Sequence, residues 1–197
     1  MVRPAAPRSV ADGRSLYLPP WRIDLTVRDG VPRVLPATAL ARLIGRALVA
    51  GGAPRPASIG LILSNDRELA ELNAAHMGKA GPTDVLSFPL LDLTAFPAHA
   101  GGPGPVAASA STTFALPPGA RLHLGDIVVS VERAITQAEE GRGGWTGDRR
   151  WSPADELRLL VVHGTLHVCG WDHAEPTEES AMRNLERELL GSAVPVH

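Results

Sequence analysis

At 197 residues, 44% of them hydrophobic, the chain has the length of one domain and enough apolar content for a sizeable core. Its net charge of −2 and pI near 6.4 are not those of a generic nucleic-acid binder. No apolar run reaches the roughly 20 residues of a membrane span, and the first residues lack the apolar core of a signal peptide, so the cytoplasm is the expected compartment. A lone Cys169, which has no second cysteine to pair with, agrees with a reducing environment.

Residues 1–20, rich in proline and arginine, are expected to form a flexible tail, with order beginning at Trp21. Ile23, Leu25 and Val27 alternate with charged or hydroxyl residues, as in a strand, and Thr38 to Ala50 has helical spacing at Leu40, Leu43, Ile44 and Ala47. Ile59 to Leu63 reads as a second strand, after which Asn65 or Asp66 can cap a helix carrying Leu69 and Leu72. Val85 to Leu90 and Ile127 to Val129 supply two further strands. Between them, residues 92–120 contain AHAGGPGPVAASAS, whose small residues, glycine and proline predict an inserted flexible loop. Such a length is tolerated because closure entropy grows only logarithmically. His99 and His123 flank this loop and are expected to be solvent or turn residues rather than ligands.

Val131 to Glu140 is predicted helical, and GRGGWTGDRRW reads as a loop. Ser152 can cap the next helix, with Pro153 in its first turn and Asp155 and Glu156 at its positive end. From Leu157 to Val168 that helix is apolar enough to be buried. Thr177 opens a last helix with Met182, Leu185 and Leu189 on one face, while Glu178, Glu179, Glu186 and Glu188 read as its solvated face. Residues 191–197 are a tail, which leaves one domain over 21–190.

The run HGTLHVCGWDH, His163 to His173, carries the clearest chemistry. Residues i and i+4 lie about 40° apart around a helix, so His163 and His167 can converge on one ion. Gly170 can take the left-handed conformation that ends a helix and lets the chain return His173 as a third ligand. Three protein nitrogens leave one position of a tetrahedral zinc open, the arrangement of catalytic sites, and water there can ionise near pH 7. A thiolate would close that position, so Cys169 is expected to be a packing residue. The spacing also matches the protease pattern HExxHxxGxxH, but Gly164 stands where the protease has its general-base glutamate, which argues against peptide hydrolysis. Asp172 has two readings, orienting a histidine from behind or direct acid/base work.

HMGKAGPTDVLSFP (residues 76–89), then LGDIVVS (residues 124–130), then the histidine run together resemble the YbeY family of bacterial endoribonucleases, from about Ile59 to Leu190. The resemblance implies an α+β domain with a mixed, about four-stranded sheet packed by helices and the metal-binding helix near the C-terminus. It also implies a zinc-dependent, single-strand-selective endoribonuclease that matures ribosomal RNA near the 3′ end of the small-subunit RNA and serves ribosome quality control. His163, His167 and His173 fall on the family's ligands to one Zn2+. Ribosomal RNA and the small subunit are the implied partners, with no DNA and no membrane.

Where the family's motif reads YRGK, this chain reads HMGK, so Met77 replaces the arginine to which the family owes charge stabilisation at the scissile phosphate. Of 19 basic residues only Lys79 is a lysine, and it stands two positions on, as a candidate phosphate contact. Ser87 either faces the cleft and binds phosphate or satisfies a backbone group at the strand's edge. His76 reads as a solvated loop residue. Residues 1–55 hold nine arginines and three aspartates, a basic surface for phosphate or simply a soluble segment. Two rival functions stay open: another zinc metallohydrolase, and a metal-stabilised ribosome assembly factor that cuts nothing.

Overall fold

The computed structural model describes residues 12–99, 120–141, 145–146 and 149–191. Strands β1 (Asp12–Leu18), β2 (Trp21–Val27), β3 (Ala57–Ser64), β4 (Val85–Pro89) and β5 (Leu122–Ser130) form one mixed sheet in the spatial order β1–β2–β3–β5–β4. The two outer pairings, β1 with β2 and β4 with β5, are antiparallel; the inner ones, β2 with β3 and β3 with β5, are parallel. Helices α1 (Ala37–Ala50), α2 (Asp66–Leu72), α3 (Val131–Glu139), α4 (Pro153–Val168) and α5 (Pro176–Leu190) complete an α+β architecture. Among the described residues no helix is long and apolar enough to cross a membrane.

The sheet has five strands because residues 12–18, expected in the tail, pair with β2 throughout. Most of their side chains are exposed, so no apolar alternation marks them. An edge strand needs only the backbone of its neighbour, supported here by Ser15 Oγ on Asp24 (2.5 Å) and by the Arg33–Asp12 ion pair. Residues 1–11 lie outside the described residues.

Alternation then builds the core. Trp21, Ile23, Leu25 and Val27 of β2 and Ala57, Ile59, Leu61 and Leu63 of β3 are all buried, in one cluster with Leu40, Ile44 and Leu48 of α1 and Leu157, Leu160 and Val161 of α4. A smaller cluster of Leu69, Leu86 and Val128 seals the opposite face under α2. Strand β5 begins five residues before Ile127, and Leu124 and Gly125 stand opposite Ile59 in a bulge, across which both Leu124 and Ile127 remain buried. Gly125, at φ +146°, lets the Phe88 carbonyl approach to 2.3 Å from where a Cβ would be. Period-two reading fails at such a bulge, which is why only Ile127–Val129 showed a strand pattern.

His123 is a strand residue and not a turn residue: its Nδ1 lies 3.1 Å from Ser58 Oγ and its Nε2 3.3 Å from Asp126 Oδ1. Within GRGGWTGDRRW, Trp145–Thr146 (β6) and Arg149–Arg150 (β7) pair as a short antiparallel ladder instead of remaining wholly loop. Of the expected 92–120 loop, Leu93–Ala95 forms a 3-10 turn and Phe96 is buried; residues 100–119 lie outside the described residues.

Helix α4 starts as its sequence suggests. Ser152 accepts from the Asp155 N–H and Asp155 accepts from the Ser152 N–H, a reciprocal capping box, with Pro153 at the first position. Trp151 Nε1 donates to Glu156 at 2.6 Å, satisfying a buried carboxylate. Ser152→Ala is expected to lower stability by about 1 kcal/mol, the usual cost of a lost N-cap. A urea midpoint unchanged by that substitution would contradict the role given to the cap.

Candidate metal centre

His163 and His167 occupy successive turns of α4, their Nε2 atoms 3.0 Å apart. The helix ends at Cys169; Gly170, at φ +84°, donates its N–H to the His167 carbonyl, and Trp171 donates to that of Leu166. This pair of bonds is a Schellman closure, and it turns the chain back so that His173 returns beside the helix. One ring nitrogen from each of the three histidines lies within 4.8 Å of the other two. The His163 and His173 rings are nearly parallel at 5.4 Å, with His167 edge-on to both. Three imidazole nitrogens converging on one point fit a borderline-soft divalent metal. Neither His99 nor His123 belongs to this group.

Glu186, expected on the solvated face of α5, is instead buried, and its Oε1 lies 2.8 Å from His163 Nδ1. A carboxylate only accepts, so Nδ1 carries the proton and Nε2 keeps its lone pair for an ion. The signal was present: Met182, Glu186 and Leu189 follow i, i+4, i+7, so the glutamate belongs to the buried stripe. Reading it as solvated rested on residue type alone.

Burial, followed by the proximity of His163 and His173, pushes His167 down to about 4. Its imidazole is therefore neutral, and open to a metal, through the physiological range. Cys169 is fully buried, pushed up to about 12, and packs in the core against Gly51, as its expected packing role required. Asp172 is exposed and accepts from the N–H of His173 at 2.8 Å, which stiffens the chain at the third histidine.

Gly164 faces the sheet, and a Cβ there would lie 2.7 Å from Ile127 Cγ2 and 3.1 Å from Val85 Cγ2. A side chain there would force Ile127 and Val85 to shift, so packing as well as residue type argues against a base at this position. Ser87 Oγ donates to the Gly164 carbonyl at 3.1 Å, tying β4 to the helix one residue beyond His163. Lys79 is exposed, beyond a π-helical turn (Asn73–Met77) and Gly78 at φ +64°. Buried Asn73 holds this loop, donating from Nδ2 to the Gly81 carbonyl at 2.9 Å and accepting from the Lys79 N–H. His76 is exposed as expected, but it sits on that helical turn, its ring edge-on to Phe88. Asp84 accepts from the Val85 N–H and from Gln137 Nε2, a structural use of the PTD segment.

Two outcomes are expected from this geometry. Glu186→Ala should weaken divalent-metal binding by roughly 10- to 100-fold, read by chelator competition; unchanged affinity would show that the carboxylate does not orient His163. Because His167 has a lowered pKa in the folded state, the unfolded chain binds more protons between about pH 4 and its ordinary 6.5. Stability of the metal-free protein should therefore rise with pH across that window, and His167→Phe should flatten the rise in pH-dependent denaturation.

The family model described as Endoribonuclease YbeY matches residues 36–193. Endoribonuclease YbeY of Thermobifida fusca is 37% identical, over 85% of this chain and 91% of its own. That of Roseiflexus castenholzii is 32% identical, over 86% and 91% respectively. The solution structure of TM1509 from Thermotoga maritima, 21% identical over 88% of each chain, shares the fold with a TM-score of 0.50. With the family match spanning most of its length, this chain belongs to the endoribonuclease YbeY family.

Proposed function

We propose that this protein is a zinc-dependent endoribonuclease selective for single-stranded RNA, which matures ribosomal RNA near the 3′ end of the small-subunit RNA and takes part in ribosome quality control. The observation that carries the reading is the convergence of His163, His167 and His173, in a chain of this family. An all-imidazole donor set with no fourth protein ligand among the described residues favours one catalytic zinc over a structural one. Zinc held there would act as a Lewis acid toward a phosphate oxygen or an attacking water.

The remaining roles belong to the chain's own groups. Glu186 keeps the His163 proton on Nδ1 and so presents Nε2. Ser87 braces the backbone beside His163. Lys79, exposed on the loop held by Asn73, supplies the positive charge that Met77 does not, as a point charge for a phosphate. Arg22, Arg28 and Arg33 are paired with carboxylates, whereas Arg42 and Arg46 stand exposed on α1, available to an RNA backbone.

Met77, 46% exposed and uncharged, favours one second reading, a metal-stabilised assembly factor that binds the small subunit without cleavage. Precursor small-subunit RNA incubated with the parent protein, His167→Ala and Lys79→Met separates the two. Cleavage by the parent, lost in His167→Ala and on chelation, restored by zinc, and reduced roughly tenfold or more in Lys79→Met, is expected. Lys79→Met cleaving at the parental rate would remove that residue from the mechanism. RNA left intact by the zinc-loaded parent, together with normal subunit association by His163→Ala, would favour the binder. Product ends then identify the nucleophile: a cyclic phosphate marks attack by the ribose 2′-OH, and its absence marks water.

A further inference from the structure

The start of the inserted loop is built against the chain that carries the third histidine. Leu91 joins the main core, and after the 3-10 turn at Leu93–Ala95 the buried Phe96 turns inward. Pro97 packs on Gly52, just after α1, where a Cβ would lie 2.6 Å from Pro97 Cγ. Leu93 and Phe96 pack on Gly170, where a Cβ would lie 2.9 Å from Leu93 Cδ2 and 3.7 Å from Phe96 Cδ2. Glycine is present at both approaches, and both have positive φ.

His99 completes the contact. Its ring stacks on Trp171 with centroids 4.1 Å apart and planes 9° from parallel, and its Nε2 lies 3.1 Å from the Gly170 carbonyl. A carbonyl only accepts, so Nε2 is the donor and Nδ1 is the bare nitrogen. That Nδ1 is buried and has no partner among the described residues. An aromatic hydrocarbon ring would give the same stack without leaving a nitrogen dry. What histidine adds is the Nε2–H held against Gly170.

The consequence concerns His173. His163 and His167 are positioned by α4, whereas His173 is exposed on the chain beyond it, two residues after Trp171. A ligand on such a segment must be ordered when metal binds unless its path is already constrained. We propose that His99 is a positioning residue for the metal centre: through Gly170 and Trp171 it holds the turn that delivers His173. The segment from Leu93 to His99 thereby acts as a clasp on the third ligand and is coupled to metal affinity. This rests on the three histidines binding zinc.

The full-length protein, stripped of metal, is titrated with zinc against a chromophoric chelator, and with cobalt(II) to read coordination from the visible spectrum. His99→Phe keeps the stack and loses the donor; His99→Gln keeps an N–H donor and loses the aromatic stack. Zinc affinity is expected to fall roughly tenfold in His99→Phe and to recover in part in His99→Gln, with an altered cobalt spectrum in the former. Melting of the metal-free proteins measures any purely structural role. Parental zinc affinity in both variants overturns the proposal, as does a lowered melting temperature with affinity unchanged. A parent protein that takes up no zinc overturns the metal reading itself, and that result is visible before any variant is compared.

Discussion

Helix α4 lies so close to β4 and β5 that Gly164 has no room for a Cβ against Ile127 and Val85, and the rest of the site takes its geometry from this approach. With Gly164 against the sheet, Ser87 can reach its carbonyl, and the neighbouring His163 is turned toward α5. His167, one turn on, then faces the same opening. A helix buried among α1, α3, α5 and the sheet presents its ligands from a rigid base, which is what a site holding reacting groups to fractions of an ångström requires.

Two forces act in opposite senses on the imidazoles. Burial and mutual proximity drive protons off His167, while the Glu186 carboxylate holds one on the far nitrogen of His163. Together they leave the Nε2 atoms of His163 and His167 facing one another, with the buried Glu186 carboxylate behind the His163 ring. Glu186 stands on the Nδ1 side of His163, away from the converging Nε2 atoms, a placement that orients the ring.

The loops divide the remaining work by how they are held. Asn73 anchors the loop carrying Lys79 with its side-chain amide on the Gly81 carbonyl and its own carbonyl on the Lys79 N–H, and the lysine side chain stays exposed. The segment from Leu93 to His99 is held by side chains against Gly52, Gly170 and Trp171. The first arrangement leaves the exposed Lys79 available for the phosphate contact proposed for it. The second suits a fixed support.

Local pattern determined the convergence of His163, His167 and His173, the α4 cap, the closure at Gly170 and the apolar face of α1, because i to i+4 spacing, capping chemistry and glycine's conformational freedom all act within about ten residues. The order of HMGKAGPTDVLSFP, LGDIVVS and the histidine run likewise carried the family. Tertiary structure alone decided the fifth strand, since an edge strand with exposed side chains leaves no apolar alternation to read. It also decided that Glu186, His99 and His123, residues whose types suit solvent, meet hydrogen-bond partners 23, 71 and 65 positions away. Whether a polar side chain meets water or a carbonyl depends on which elements the sheet and α4 bring together, and no window of sequence contains both halves of such a contact.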